Sequence, residues 1–469
     1  MDGVQNKPAD SEERIDTEPC PSDDQASFIG KTESSVTNIS QQNTKDEGHP
    51  ISTSHKRDHG TESAASQTTC MEGNTKNEER TSTVTSSEES HSPSGLQEDK
   101  TGAPHSFNIE SKFEKKDLVD HVKGVIYGNC IGDAIGLLTE FMSKSEAAHI
   151  YGKSDGVKEK LMDFVKREKK EPHLEYGMKN YDFHRSRWET GDWTDDSDQM
   201  ILILLSLLDN DGKMEPVDFA KKMRNWSRKG FAELGDMGGM GIGRTTYKVL
   251  HHPNFLTNPH QAAEYVWEES GHLVAPNGGV MRTSILGIHD FGNIEEVIKN
   301  TKAACKVTHA DPRCIASCVA TTTAVAMMLQ GKYFEKESNC FDVEAIIQEA
   351  YSYACATLET VEQEEELKQH MFAKSLDDLN LDEAGKIGYT YKCLGAGFWS
   401  LRQNDFRTAI EAVAFEAGDA DTNGAVSGAL LGCKLGASKL PDSWFNGLKH
   451  KDWLDGHIYK FLALLGLNE

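Results

Sequence analysis

Two short acidic segments hold the side chains best suited to chemistry. In Gly191-Asp-Trp-Thr-Asp-Asp-Ser-Asp198 a hydroxyl, Thr194, leads into adjacent carboxylates, Asp195 and Asp196. In Asp419-Ala-Asp-Thr422 two carboxylates alternate and the hydroxyl of Thr422 closes the segment. Singly, each reads as a helix N-cap with acids complementing the helix dipole. Together they form an oxygen-only donor set, which suits a hard cation such as Mg²⁺ or Mn²⁺ rather than zinc.

Residues so far apart in the chain need elements that bring them together. Gly124, Gly128, Gly132 and Gly136 recur every four residues, and so do Gly424, Gly428, Gly432 and Gly436. That period lays each row along one helix face. An interior glycine costs about 0.8–1 kcal/mol relative to alanine, so the rows require a compensating gain, which close approach of two backbones supplies. The alternatives are a chance run of small residues or packing of each row against some third element. Two central helices packed antiparallel would set Glu140, at the C-terminal end of the first row, beside Asp419 and Asp421, at the entrance to the second. Apolar residues at helical spacing over 118–138, 200–208, 315–329, 343–358, 406–417 and 426–435 predict an all-α domain. Between them, 235–243 and 275–279 read as loops, and 362–366 opens an exposed acidic helix or loop.

Composition separates this domain from what precedes it. Phe28 is the only aromatic in the first hundred residues, whereas all seven Trp and twelve Tyr lie beyond residue 115. Residues 1–115 therefore read as a disordered, acidic, Ser/Thr-rich tail, unable to offset about 1–2 kcal/mol of backbone entropy per residue. Residues 116–469 read as one large compact domain. A formal charge of −25, from 50 basic and 75 acidic residues, argues against nucleic-acid binding. The basic run 166–170 reads as a solvated face. The start lacks a secretory pattern, and the longest apolar run is far shorter than a bilayer span, which predicts a soluble chain without a membrane partner. Ten cysteines without a Cys-x-x-Cys pair read as reduced thiols, and Cys314 and Cys318, on one helix face, lack further zinc ligands. The expected compartment is the cytosol, with the nucleus as the alternative, and the expected state is a monomer.

Five motifs then occur in order: Gly-Asp-Ala-Ile-Gly-Leu-Leu-Thr-Glu at 132–140, Trp-Thr-Asp-Asp-Ser at 193–197, Asn-Gly-Gly-Val-Met-Arg at 277–282, Thr-His-Ala-Asp at 308–311 and Gly-Asp-Ala-Asp-Thr-Asn-Gly at 418–424. In this order they resemble the ADP-ribosylglycohydrolase family, which includes the enzyme that reactivates ADP-ribosylated dinitrogenase reductase. The resemblance covers roughly residues 117–465. It implies two Mg²⁺ ions, with Mn²⁺ as a substitute, one of them shared between 194–196 and 419–422. The ligand set so implied is Glu140, Thr194, Asp195, Asp196, Asp419, Asp421 and Thr422. Cleavage at the ribose anomeric carbon passes through an oxocarbenium-like state and needs a placed water, and paired metals can supply and orient it. Glu140, Asp196 and Asp421 form the implied catalytic set; with Asp195 also eligible, the choice of base stays open. The implied partner is an ADP-ribosylated protein or an ADP-ribose-containing small molecule.

The glycine-rich loops 238–243 and 277–279 read either as plain turns or as backbone N–H cradles for a pyrophosphate. The family places ADP-ribose contacts in matching loops, which assigns Gly241, Gly243, Asn277, Gly278, Gly279, Met281 and His309 to the ligand. His309 reads equally as a cap or core histidine, and Arg282 falls to holding the loop or a carboxylate in place. Two positions depart from the family pattern. Asp198 and Gln199 separate Ser197 from Met200 where many relatives have one residue, and Gly241 stands where many have an acid. Both bear on specificity, so arginine-linked, serine-linked and small-molecule substrates all stay open. The competing expectations are a structural protein, as in the jellyfish lens crystallins that resemble this family, and an ADP-ribose binding module without hydrolysis.

Overall fold

A computed structural model describes residues 111–152 and 173–468. The expectations for residues 1–110 and for the basic run 166–170 fall outside these. Sixteen α-helices are present among the described residues. α1 (Lys115–Gly136) and α2 (Lys144–Tyr151) lead to α3 (Asp195–Asp209), α4 (Pro216–Lys229), α5 (Arg244–His251), α6 (Pro259–Glu269) and the short α7 (Val280–Thr283). α8 (Ile294–Cys305) and α9 (Pro312–Leu329) precede a two-stranded antiparallel hairpin, β1 (Phe334–Glu335) and β2 (Cys340–Phe341). α10 (Val343–Cys355), α11 (Val361–Met371), α12 (Thr390–Leu401), α13 (Phe406–Glu416), α14 (Ala420–Leu435), α15 (Asp442–Gly447) and α16 (Lys451–Leu464) complete the all-α fold.

The expected glycine seam is present and antiparallel. Gly124 faces Gly432, Gly128 faces Gly428, Gly132 faces Gly424 and Gly136 faces Ala420. A Cβ on any of these seven glycines would drive into the opposing carbonyl oxygen, so α1 and α14 touch backbone to backbone along four turns. Gly436 is not part of the seam. It follows the last residue of α14 with φ +84° and packs on Asp120, a capping position that a side chain rarely tolerates.

α9 and α12 pack around this pair. α9 has the length and hydropathy of a membrane span, and 89% of it is buried by its neighbours, where it serves as a core helix. Asp311 caps its N-terminus by accepting from the Arg313 N–H, and Pro312 occupies the first turn, where no N–H is required. The described residues ahead of the expected boundary at 115 pack on the domain. Ser111 Oγ donates to the Leu329 carbonyl (2.7 Å), and the Phe113 ring packs edge-on against Phe334 at 4.9 Å.

Candidate metal centre and active-site cleft

The seam delivers the acids. Glu140 lies in a turn after α1, its N–H donating to the Gly136 carbonyl, while Asp419 and Asp421 open α14 at the same end of the helix pair. Ligand oxygens of Glu140, Asp419 and Asp421 lie within 4.8 Å of one another, as do those of Asp133, Asp196 and Asp421. Asp195 and Asp196 begin α3. Thr194 caps that helix, its Oγ1 accepting from the Asp196 N–H and donating to Asp196 Oδ2 (3.1 Å).

Asp133, which the sequence reading did not single out, ties α3 to the seam. Its carboxylate accepts from the Thr194 N–H (3.0 Å), the Ser197 N–H (3.0 Å) and Ser197 Oγ (2.6 Å). Burial pushes its carboxyl up to about 7. Asp195, Asp196 and Asp421 are pushed well above the usual carboxylate range, first by burial and then by neighbouring carboxylates. Among the described residues no lysine or arginine forms an ion pair with these four acids or with Asp419. Crowded acids of this kind are unfavourable alone and favourable around a cation. Asp196 Oδ1, moreover, is buried without a hydrogen-bond partner among the described residues. An all-oxygen donor set with an orphaned carboxylate oxygen fits a hard divalent ion.

His184 is a second residue that sequence reasoning missed. Its Nε2 lies 2.5 Å from Glu140 Oε2, and Arg187 Nη2 faces its Nδ1 at 3.2 Å. A guanidinium can only donate, so Nδ1 accepts and Nε2–H donates to Glu140. Arg185 donates to the Leu138 and Glu140 carbonyls and fixes the turn that carries Glu140. Nothing in the spacing of these loop residues marks them in advance, since they act through contacts some 45 positions away.

The acids close one end of a cleft of about 750 Å³, with Gly241, Gly243, Asn277, Gly278, Met281 and His309 along its walls. That volume suits a small-molecule or nucleotide-sized group. Gly241 has φ +88°, and a Cβ there would strike Asp195 Oδ1, so the 238–243 loop crosses directly against a metal-site acid. Asn277 Nδ2 donates to Asp419 Oδ2 (2.8 Å), linking the second loop to the acids. Gly279 and Thr194 are not among the residues lining the cleft: a Cβ on Gly279 would meet the Cys305 and Cys318 sulfurs, and Thr194 caps α3 with its Oγ1 bonded to Asp196. A wall formed by 383–392, where buried Lys392 pairs with Glu383 at 2.7 Å, carried no sequence signal.

Both residues of the unusual spacer after Ser197 are engaged. Asp198 accepts from the Trp193 and Trp226 indole N–H groups at 2.8 and 2.9 Å. Gln199 Nε2 donates to Asp195 Oδ2, and its Oε1 accepts from Arg282 Nη1, both at 2.7 Å. Arg282 thus holds a carboxylate in place at one remove.

Comparison with known proteins agrees with this geometry. A family model described as ADP-ribosylglycohydrolase matches residues 114–468. The chain is 24% identical over 344 residues to the ADP-ribosylarginine hydrolase Tri1 of Serratia proteamaculans, covering 72% of this chain and 78% of that one. It is 22% identical over 368 residues to the ADP-ribosyl-[dinitrogen reductase] glycohydrolase of Rhodospirillum rubrum, covering 74% and 98%. A solved structure titled as an ADP-ribosylglycohydrolase-related protein complex superposes with a TM-score of 0.52 at 21% identity, over 76% of this chain and all of that one, and shares its fold. With the model matched from the first turn of α1 to the last residues of the domain, the chain belongs to the ADP-ribosylglycohydrolase family.

Proposed function

We propose that the protein hydrolyses the glycosidic bond joining ADP-ribose to a modified protein or small molecule, using two divalent cations, Mg²⁺ with Mn²⁺ as a substitute. The observation that carries this reading is the convergence of Glu140, Asp196, Asp419 and Asp421 from three separate segments at one end of a nucleotide-sized cleft. Glu140, Thr194, Asp195, Asp196, Asp419, Asp421 and Thr422 would hold the ions, and Thr194 Oγ1 also bonds Asp196 Oδ2. Bound there, the ions would supply Lewis-acid activation of water and orientation of the ribose hydroxyls.

The chain's own residues provide the rest. Glu140 is the acid–base group we favour, because the His184 Nε2–H bond holds Oε2 and leaves Oε1 to exchange a proton with water or the leaving atom. Asp133 keeps the α3 N-terminus, and with it Asp195 and Asp196, against the seam. The loops at 238–243 and 275–281 bind the ADP-ribosyl group and orient its anomeric carbon toward the acids. We further propose an intracellular monomer; the eight described cysteines are all free thiols, in keeping with a reducing compartment.

The test is release of free ADP-ribose from arginine-linked and serine-linked modified proteins and from small ADP-ribosyl compounds, assayed side by side because Gly241 stands where many relatives carry an acid. Release with Mg²⁺ or Mn²⁺ and none with chelator supports the reading. No release from any substrate class, with a melting temperature indifferent to both metals, would overturn it and leave a structural protein.

A further inference from the structure

Arg282 is fully buried, yet among the described residues no carboxylate touches its guanidinium. Nη1 donates to Gln199 Oε1, and Nη2 donates to Thr308 Oγ1 (2.7 Å) and the Ala304 carbonyl (3.3 Å). Thr308 Oγ1 lies 2.7 Å from His309 Nδ1. Asp195, Gln199, Arg282, Thr308 and His309 therefore form one buried chain that joins two residues of the cleft lining, Asp195 and His309.

The direction of every bond follows from the guanidinium, which has donors only. Gln199 must offer its oxygen to Arg282 and its NH₂ to Asp195. Thr308 Oγ1 accepts a hydrogen bond from Arg282 Nη2–H and has one hydrogen of its own to donate. Among the described residues its only available acceptor is His309 Nδ1. The reverse arrangement, with Nδ1–H donating to Thr308, would leave the Thr308 O–H buried without an acceptor, at the full desolvation cost of that group. Burial, and then the charge of Arg282, hold the imidazole neutral by lowering its pKa to about 3. The one ring proton then sits on Nε2. That atom has no partner among the described residues, although the side chain is only 3% exposed, and a Cβ on Gly278 would lie 3.0 Å from it.

We propose that Arg282 and Thr308 are positioning residues that lock His309 in its Nε2–H tautomer, so that the cleft wall beside Gly278 offers a neutral N–H donor to an acceptor oxygen of the bound ADP-ribosyl group. The ligand half of this inference rests on the proposed function; the tautomer half does not. Through Gln199 the same guanidinium orients Asp195, so one buried cation is linked to two polar residues of the cleft lining.

The experiment is ¹⁵N NMR of the full chain labelled at histidine ring nitrogens, with His309→Gln identifying the signals, alongside ADP-ribose binding by calorimetry in the presence of Mg²⁺. The lock requires an unprotonated Nδ1 and a protonated Nε2 for His309. Thr308→Val should mix the tautomers and weaken ADP-ribose binding on the order of tenfold, and Thr308→Ser should restore both. His309→Gln, which keeps a donor near the Nε2 position, should bind within about threefold of the parent, and His309→Ala should lose about tenfold or more. An Nδ1–H tautomer in the parent, or a Thr308→Val variant with unchanged ring signals, overturns the lock. If the parent binds no ADP-ribose while the Nε2–H tautomer is present, the proposed function and the ligand half fall and the lock stands.

Discussion

The seam between α1 and α14 and the acid-lined cleft above it are built on opposite principles. The seam has no side chains at its contacts: seven glycines and Ala420 let two backbones meet, and the register follows from which carbonyl fits beside which Cα. The cleft end is all side chain, and its buried carboxylates repel one another. One region supplies rigidity and no chemistry, while the other supplies chemistry and opposes the fold. Their adjacency shows how a charge cluster that disfavours folding is kept in place although, among the described residues, no lysine or arginine forms an ion pair with Asp133, Asp195, Asp196, Asp419 or Asp421.

The largest effect should come from breaking the seam. Gly128→Val or Gly428→Val places a branched side chain against a backbone carbonyl that cannot rotate away, at a cost of about 3 kcal/mol or more. Denaturant unfolding should show that loss, and metal response and hydrolysis should vanish with it. Equal stability of both variants would separate the seam from the site.

Next in size, Asp195→Asn combined with Asp421→Asn should abolish hydrolysis while leaving the metal-free fold as stable as the parent or slightly more so. In the parent, Mg²⁺ should raise the melting temperature by mass action; in the double variant it should not. Retained activity would remove both acids from the machinery.

A third measurement addresses pH. His309 is held neutral in the folded protein with its pKa lowered to about 3, against an ordinary value of 6.5. The unfolded chain therefore binds the extra proton first, so this group's contribution to stability is complete above pH 6.5 and is lost progressively as pH falls toward 3. His309→Gln should flatten the stability profile in that window, and an unchanged slope would show that the imidazole takes up its proton equally in the folded and unfolded chain.

The smallest effect concerns the domain boundary. A chain beginning at residue 110 should match the full-length protein in catalytic constants. One beginning at Lys115 should lose about 1 kcal/mol of stability, because Phe113 leaves the Phe334 and Phe341 rings. Identical melting of the two would make the Ser111–Phe113 contacts energetically neutral.

The seam was legible because its signal is periodic: a glycine every fourth residue is visible without a partner, while the antiparallel pairing of Gly128 with Gly428, one of several readings of two such rows, is decided by the fold. The acids that the fold gathers were legible because they cluster in short motifs. Asp133 was hidden inside a quoted motif, since one aspartate among glycines reads as a surface acid until α3 is seen to dock its N-terminus there. His184 was invisible for another reason, and Gln199 was visible only as a departure in spacing: their roles depend on contacts that only the fold creates, and neither sits in a repeating pattern. Gly436 shows the reverse error, because a pattern of residue type cannot distinguish a glycine at a crossing from one at a cap.

The antiparallel seam also governs how the fold can vary. A helix pair interlocked at every fourth residue does not slide smoothly: the next position at which glycines again face one another is four residues along, about 6 Å at 1.5 Å per residue. Such a step would carry Asp421 a full turn away from Glu140. The helix pair therefore behaves as a ratchet with a single working tooth. Fine adjustment of what the cleft accepts falls to the loops, and Gly241, pressed on Asp195 with no room for a side chain, marks where that adjustment meets the fixed part.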